Sequence, residues 1–185
     1  MRVEDRSADA RFEAAVLPHL DAAYNLARWL TRDDHAAQDV VQEAYLRALK
    51  FFGSFRGGDG RAWILTIVRN ACFDWLKQGR TQNLHEPFDE EVHTPDADSS
   101  GRTGGSAAGN PENSAASSAT AERVGVALEG LPADYREALV LREIEGLSYK
   151  EIATITNVPV GTVMSRLARA REQLRKRLRL DHEEL

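Results

Sequence analysis

Between Asp9 and Leu30 the apolar residues Phe12, Ala15, Val16, Leu20, Ala23, Tyr24, Ala27 and Leu30 recur at helical spacing. Pro18 interrupts this stripe, so the helix must kink or restart there. Asp33 and Asp34 offer an N-cap and first-turn negative charge for a second helix, from about His35 to Phe51. Its core side is Ala36, Val40, Val41, Ala44, Tyr45, Ala48 and Leu49, and its other side presents Asp39, Gln42, Glu43 and Arg47. A third helix, Arg61 to Gln78, buries Ile64, Ile67, Val68, Ala71, Cys72, Trp75 and Leu76. Thr66, Arg69, Asn70, Asp74 and Lys77 line its polar flank. The connection F-F-G-S-F-R-G-G-D-G-R before it reads as a bent or mobile loop, and it lacks the G-K-[ST] ending of a phosphate loop.

Periodicity stops between Ser99 and Thr120, where Gly, Ser and Ala dominate and no large apolar residue occurs. Low hydrophobicity with net negative charge cannot offset the entropy of ordering a chain, so residues 81–122 read as a flexible tether. Forty such residues have a root-mean-square span of about 35 Å and a contour of roughly 130 Å. A short helix near Glu122 to Glu129 ends at Gly130. The next begins at Pro132, carries Tyr135, Ala138, Leu139, Leu141 and Ile144, and closes at Gly146. Ser148 and Glu151 then form a capping box flanked by Leu147 and Ile152, which starts a helix at Tyr149. Pro159 limits that helix to Val158. A last helix carries Val163, Leu167, Ala170, Leu174 and Leu178 on one face and Thr162, Ser165, Arg166, Arg169 and Gln173 on another.

These patterns predict an all-α chain of two small domains. Residues 1–80 form an N-terminal helical bundle, and residues 123–185 form a C-terminal four-helix helix-turn-helix domain, joined by the linker 81–122.

The chain of 185 residues carries a net charge of −5, but that total conceals a division. Residues 1–80 hold 12 Lys/Arg against 11 Asp/Glu, residues 81–122 hold 1 against 8, and residues 123–185 hold 11 against 10. The acidity therefore belongs to the linker, and a pI near 5.6 does not argue against an anionic partner. From Ser165 to Arg179 the last helix has seven basic residues against Glu172 alone. A basic helix that opens with short polar side chains suits the major groove, although an ordinary helical hairpin with a solvated face has the same composition. Phe55, Trp63 and the nearby arginines could stack on unpaired bases, but spacing alone favours core packing for these aromatics. Likewise, the Asp39, Gln42, Glu43, Arg47 face reads by itself as a solvated surface.

The single cysteine, Cys72, excludes an intrachain disulfide and reads as a core thiol, and the five histidines are too scattered for a metal site. No apolar run approaches a membrane span, and no signal-peptide core opens the chain, so the expected location is the cytoplasm. No nucleophile and base pair can be assembled, which argues against an enzyme and requires no cofactor, metal or small-molecule substrate.

Four stretches together resemble the extracytoplasmic-function (ECF) sigma factors of bacterial RNA polymerase. They are D-V-V-Q-E-A-Y-L-R-A from Asp39, F-R-G-G-D-G-R-A-W-I-L-T-I-V-R-N-A-C-F-D-W from Phe55, L-P-A-D-Y-R-E-A-L-V-L-R-E-I-E-G-L-S-Y-K-E-I-A from Leu131, and P-V-G-T-V-M-S-R-L-A-R-A-R from Pro159. The resemblance implies that Asp39, Gln42, Glu43 and Arg47 dock on core RNA polymerase, at the β′ clamp helices, with further contacts to the β subunit. It implies that Phe55, Arg56, Arg61, Trp63, Arg69, Asn70 and Asp74 recognise and open the −10 element. Ser165, Arg166 and Arg169 would face −35 base edges, with Thr162, Arg171 and Lys176 on phosphates or supporting them. It further implies a cognate anti-sigma factor, through which the chain could be held at the membrane without inserting into it. The linker departs from the family in length and acidity; its charge suggests mimicry of nucleic acid or weakening of free-DNA binding. The rival reading is a stand-alone helix-turn-helix regulator whose residues 1–80 dimerise or sense a signal.

Overall fold

A computed structural model describes residues 3–83 and 111–183. The expectation of a flexible tether over 84–110, the most acidic part of the predicted linker, lies outside these residues, whereas the ends of that linker, 81–83 and 111–122, are helical. Among the described residues all regular structure is helical. In chain order the helices are α1 (Val3–Val16), α2 (Leu20–Thr31), α3 (Asp34–Phe51), α4 (Gly60–Asn83), α5 (Pro111–Glu129), α6 (Ala133–Leu139), α7 (Tyr149–Thr156) and α8 (Val160–Glu183). A 3₁₀ turn at Leu17–His19 joins α1 to α2, another at Phe52–Ser54 follows α3, and a π turn at Val140–Ile144 extends α6.

Most helix boundaries have local causes visible in the chain. Asp33 caps α3, its Oδ1 accepting from the Ala36 N–H at 2.7 Å. Ser148 and Glu151 make the reciprocal capping box at α7: the Ser148 N–H donates to Glu151 Oε2 at 2.7 Å, and the Glu151 N–H donates to Ser148 Oγ at 3.3 Å. Asn157, in the left-handed region at φ 53°, ends α7, and the Val158 N–H closes on the Ala153 carbonyl. Pro159 lies in the turn, so α8 starts at Val160.

Two helices run further than periodicity indicates. α4 continues to Asn83, since the chain after Gln78 has no proline before Pro87. α5 begins at Pro111, not near Glu122, because a proline suits a first turn and the alanines that follow are strong helix formers despite their low hydrophobicity.

The core also shifts phase where the helix geometry changes. Leu20 follows the 3₁₀ turn and is 46% exposed, and Ile144 ends the π turn and is likewise 46% exposed. Each turn departs from 3.6 residues per turn and rotates the following residue off the stripe. On α3 the buried positions are Ala37, Val40, Val41, Ala44 and Ala48; Ala36 is half-buried and Leu49 lies outside, on the exposed side with Leu46 and Phe51. Trp75 is also more exposed than its place on the α4 stripe suggests.

The bundle α1–α4 and the group α5–α8 pack against each other, α4 lying on α7 and α2 on α6 and its π turn. One apolar cluster runs through both, from Leu26, Leu30, Ile64 and Val68 to Leu141, Ile152, Ile155 and Leu167. Close approach at Gly60 sets one corner, since a Cβ there would collide with the backbone carbonyl of Ala15. Gly60→Ala should therefore lower stability by about 1–3 kcal/mol through overpacking. Ser148→Ala should cost about 1 kcal/mol by removing a cap. The Glu151 carboxyl is held below its usual range, chiefly by its hydrogen bonds to Ser148, so its contribution is present above that range and fades as pH falls through it. Urea titration checks both values, and the Ser148→Ala deficit should shrink in acid.

Candidate nucleic-acid interface

Asp39, Gln42, Glu43 and Arg47 are all exposed on one side of α3. Arg47 Nε donates to Glu43 Oε1 at 2.7 Å, one turn away, and Arg47 Nη1 lies 3.9 Å from Asp74 on α4. Leu46, Leu49 and Phe51, each about half exposed or more, lie beside this polar row. A polar row flanked by uncovered large apolar side chains is the composition of a protein-binding face.

The loop before α4 owes its course to Gly57 and Gly58, at φ 85° and 105°, where L-residues are strained. Asp59 caps α4 by accepting from the N–H groups of Arg61 and Ala62 at 2.9 and 3.2 Å. Phe55 stacks on Phe52 with centroids 5.5 Å apart and meets Trp63 at 5.1 Å, while Phe52 makes an edge contact with Phe12. Phe55 and Trp63 are thus half-buried against the core but keep accessible edges. Arg56, Asn70 and Asp74 are exposed, with Asn70 Oδ1 accepting from Arg69 Nη1 at 3.3 Å.

Arg61 and Arg69 are placed differently. Arg61 Nη2 donates to Glu145 Oε2 at 2.6 Å and to the Glu145 carbonyl at 2.8 Å. Arg69 Nε donates to Glu137 Oε1 at 2.8 Å, and its guanidinium lies 4.3 Å from the Phe73 ring centroid. Glu137 is fully buried, and its Oε2 accepts no hydrogen bond. Burial pushes its carboxyl above the usual range, opposed first by the Arg69 guanidinium.

On α8, Ser165, Arg169 and Lys176 are exposed and Thr162 is half-buried. Ser165 Oγ donates to the Thr162 carbonyl at 2.9 Å. Arg171 reaches Glu143 at 2.7 Å. Arg166, expected at base edges, instead lies 20% exposed against α6, donating to Asp134 Oδ2 at 3.0 Å with Glu137 Oε2 4.0 Å away. Arg61 and Arg69 are therefore tied to the C-terminal group by carboxylates that periodicity did not single out, Glu145 and Glu137, while Asp134 pairs with Arg166 inside that group. One signal was available, since Glu137 precedes Val140 and Leu141 by three and four residues and so falls on an apolar helix face.

Elsewhere an apolar cleft of about 780 Å³ opens between Trp29, Val124, Leu128, Leu139, Ile144 and Leu174. Among the described residues no group of His, Cys, Asp and Glu is arranged to hold a metal, and no helix is long and apolar enough to cross a membrane.

A basic helix-turn-helix behind an all-helical bundle defines a DNA-reading initiation or regulatory factor, and the comparisons specify which. The family model for Sigma-70 region 2 matches residues 15–81, and that for Sigma-70, region 4 matches residues 121–174. The chain is 36% identical over 170 residues to the RNA polymerase sigma-H factor of Pseudomonas aeruginosa, covering 90% of this chain and 86% of that one. It is 41% identical over 140 residues to the ECF RNA polymerase sigma-E factor of Escherichia coli K12, covering 74% and 70%. With the ECF RNA polymerase sigma factor SigE of Mycolicibacterium smegmatis it shares 33% over 174 residues, spanning 92% of this chain and 63% of that longer relative. Among solved structures, the sigma factor RpoE from Bartonella quintana, in complex with the anti-sigma factor NepR, superposes with a TM-score of 0.67 at 30% identity, covering 92% and 98%. CnrH, solved with the cytosolic domain of CnrY, shares the fold at a TM-score of 0.63 and 24% identity, covering 94% and 90%.

The chain belongs to the ECF sigma factors of RNA polymerase, which are non-enzymatic transcription initiation factors. Membership removes the stand-alone regulator as a reading.

Cys72 is fully buried, and its thiol is pushed up to about 12 by burial and then by Glu137. At pH 8 the native chain should resist iodoacetamide for hours and react within minutes in urea, as intact mass will report. Fast native labelling would contradict the packing around α4.

Proposed function

We propose that this sigma factor docks on core RNA polymerase through the α3 face of Asp39, Gln42, Glu43 and Arg47, at the β′ clamp helices, with further contacts to the β subunit. Promoter reading is divided between the two halves. Phe55, Arg56, Arg61, Trp63, Arg69, Asn70 and Asp74 engage and open the −10 element, and Thr162, Ser165, Arg166, Arg169, Arg171 and Lys176 engage the −35 element. The observation that carries this reading is the exposed polar and apolar face on α3 combined, in one chain, with a basic helix-turn-helix. Half-exposed Phe55 and Trp63, at the mouth of a glycine-shaped loop, could trap a base that breathing exposes, a step whose extrusion cost is only a few kcal/mol. A cognate anti-sigma factor restrains the chain, as NepR accompanies the Bartonella relative. The site of action is the cytoplasm, with membrane attachment arising only through that partner.

Run-off transcription with purified core polymerase tests the reading: promoter-specific transcripts appear only when both are present, and their absence on every template of a genomic library contradicts it. Two variants separate the surfaces. Glu43→Lys should abolish core association while leaving the melting temperature nearly unchanged, because the Glu43–Arg47 pair is exposed and contributes only about 0.3–0.5 kcal/mol. Arg169→Ala should retain core binding and lose about 1–3 kcal/mol of −35 discrimination. Normal core pull-down by Glu43→Lys removes the α3 assignment.

A further inference from the structure

Exposed apolar side chains on α8 fall in its first turns. From Val160 to Ala168 the exposed positions are Val160, Gly161, Met164, Ser165 and Ala168, none of them charged, whereas from Arg169 to Arg179 every exposed side chain is charged. Met164 is 53% exposed, and Val160 and Ala168 stand one turn before and after it in the same row. At 3.6 residues per turn, Met164 and Arg169 point about 140° apart around the helix axis. Gly161, Ser165 and Ala168 fall between them, all small enough to let the backbone come close to a base-pair edge. Two of the polar residues assigned to base edges already have partners within the domain: Ser165 Oγ donates to the Thr162 carbonyl at 2.9 Å, and Arg166 Nη2 donates to Asp134 Oδ2 at 3.0 Å.

The N-terminal residues of a recognition helix are the ones that meet base edges. A methionine held open there forgoes burial in the core and gains nothing from the phosphates, which the charged second half of α8 suits. The apolar group that the major groove presents to such a side chain is the thymine C5-methyl. We infer that Met164 is a specificity-determining residue of the −35 contact: with Ala168 beside it, it packs on a thymine methyl, while Arg169 addresses a base edge on the opposite flank of the helix. The inference deepens the −35 reading proposed above and rests on it. It places an A·T pair on the Met164 side of the element and makes a methyl group, not a hydrogen bond, the feature that is read there.

The test uses the full chain with core RNA polymerase, on a promoter fragment that this holoenzyme transcribes from a genomic library. Each thymine of the −35 element, on either strand, is replaced in turn by deoxyuridine, which removes the methyl and leaves base pairing intact. The readout is the holoenzyme concentration that gives half-maximal run-off transcript. For the parent it should rise about fourfold at one or two thymines, the effect of taking roughly one methyl out of contact. Met164→Ala should need more holoenzyme on the thymine promoter and no longer distinguish thymine from deoxyuridine at one of those positions. Met164→Leu should restore the distinction by returning apolar volume, and Arg169→Ala should keep it while weakening transcription. All three side chains are exposed in α8, so circular dichroism should match the parent. A parent indifferent to deoxyuridine at every −35 thymine overturns the inference, as does a −35 element without an A·T pair or a sensitivity that Met164→Ala retains in full. Absence of any promoter-specific transcript from the parent removes the sigma-factor reading itself, whereas specific transcripts that ignore the methyl groups remove only the role of Met164.

Discussion

The organising constraint of this molecule is a single buried carboxylate. Glu137 is fully enclosed on α6, between Arg69 of α4 and Arg166 of α8. A lone charge in such a place would be strongly unfavourable, and burial does push its proton affinity up. The site holds because both neighbours are guanidinium groups, one of them in direct hydrogen-bond contact. Removing one partner of such a set typically costs 3–5 kcal/mol, by leaving the other charge uncompensated, so the position ties the two halves together more firmly than its single short bond indicates. Arg136 beside it is also buried, its guanidinium pulled down to about 10 by burial and by Arg32, and it ends on carbonyls of Glu129, Leu131 and Leu30.

From that constraint the disposition of the surfaces follows. With α6 and its π turn packed on α2, and α7 on α4, Arg61, Arg69 and Arg166 turn toward carboxylates of the C-terminal group, while Arg56, Arg169 and the α3 row remain outward. The α3 face proposed to meet polymerase is therefore open in this arrangement.

Local chemistry in the sequence was a good guide to where helices start and stop. Asp33, Ser148 with Glu151, Pro159 and Gly146 each act on their own turn, so a short window contains the whole cause. Phase was less legible. Leu20, Leu49 and Ile144 belong to their stripes by spacing, yet a 3₁₀ turn, a helix end and a π turn set them outside, and those irregularities depend on packing that a periodicity count does not contain. The residues of the candidate interface were legible as types and faces, chiefly through resemblance to a family. Their partners were not, because Arg61 with Glu145 and Arg69 with Glu137 join positions 84 and 68 residues apart. Alanine-rich polar sequence also concealed the start of α5, where helix propensity acts without an amphipathic pattern.

The most direct measurement is the distance between the two halves of the chain in solution. Spin labels at Gln38 on α3 and Thr154 on α7, both exposed, report it without disturbing the interface, and buried Cys72 should stay unlabelled. The account predicts one short, narrow distance between the two halves. A broad, long distribution would contradict it.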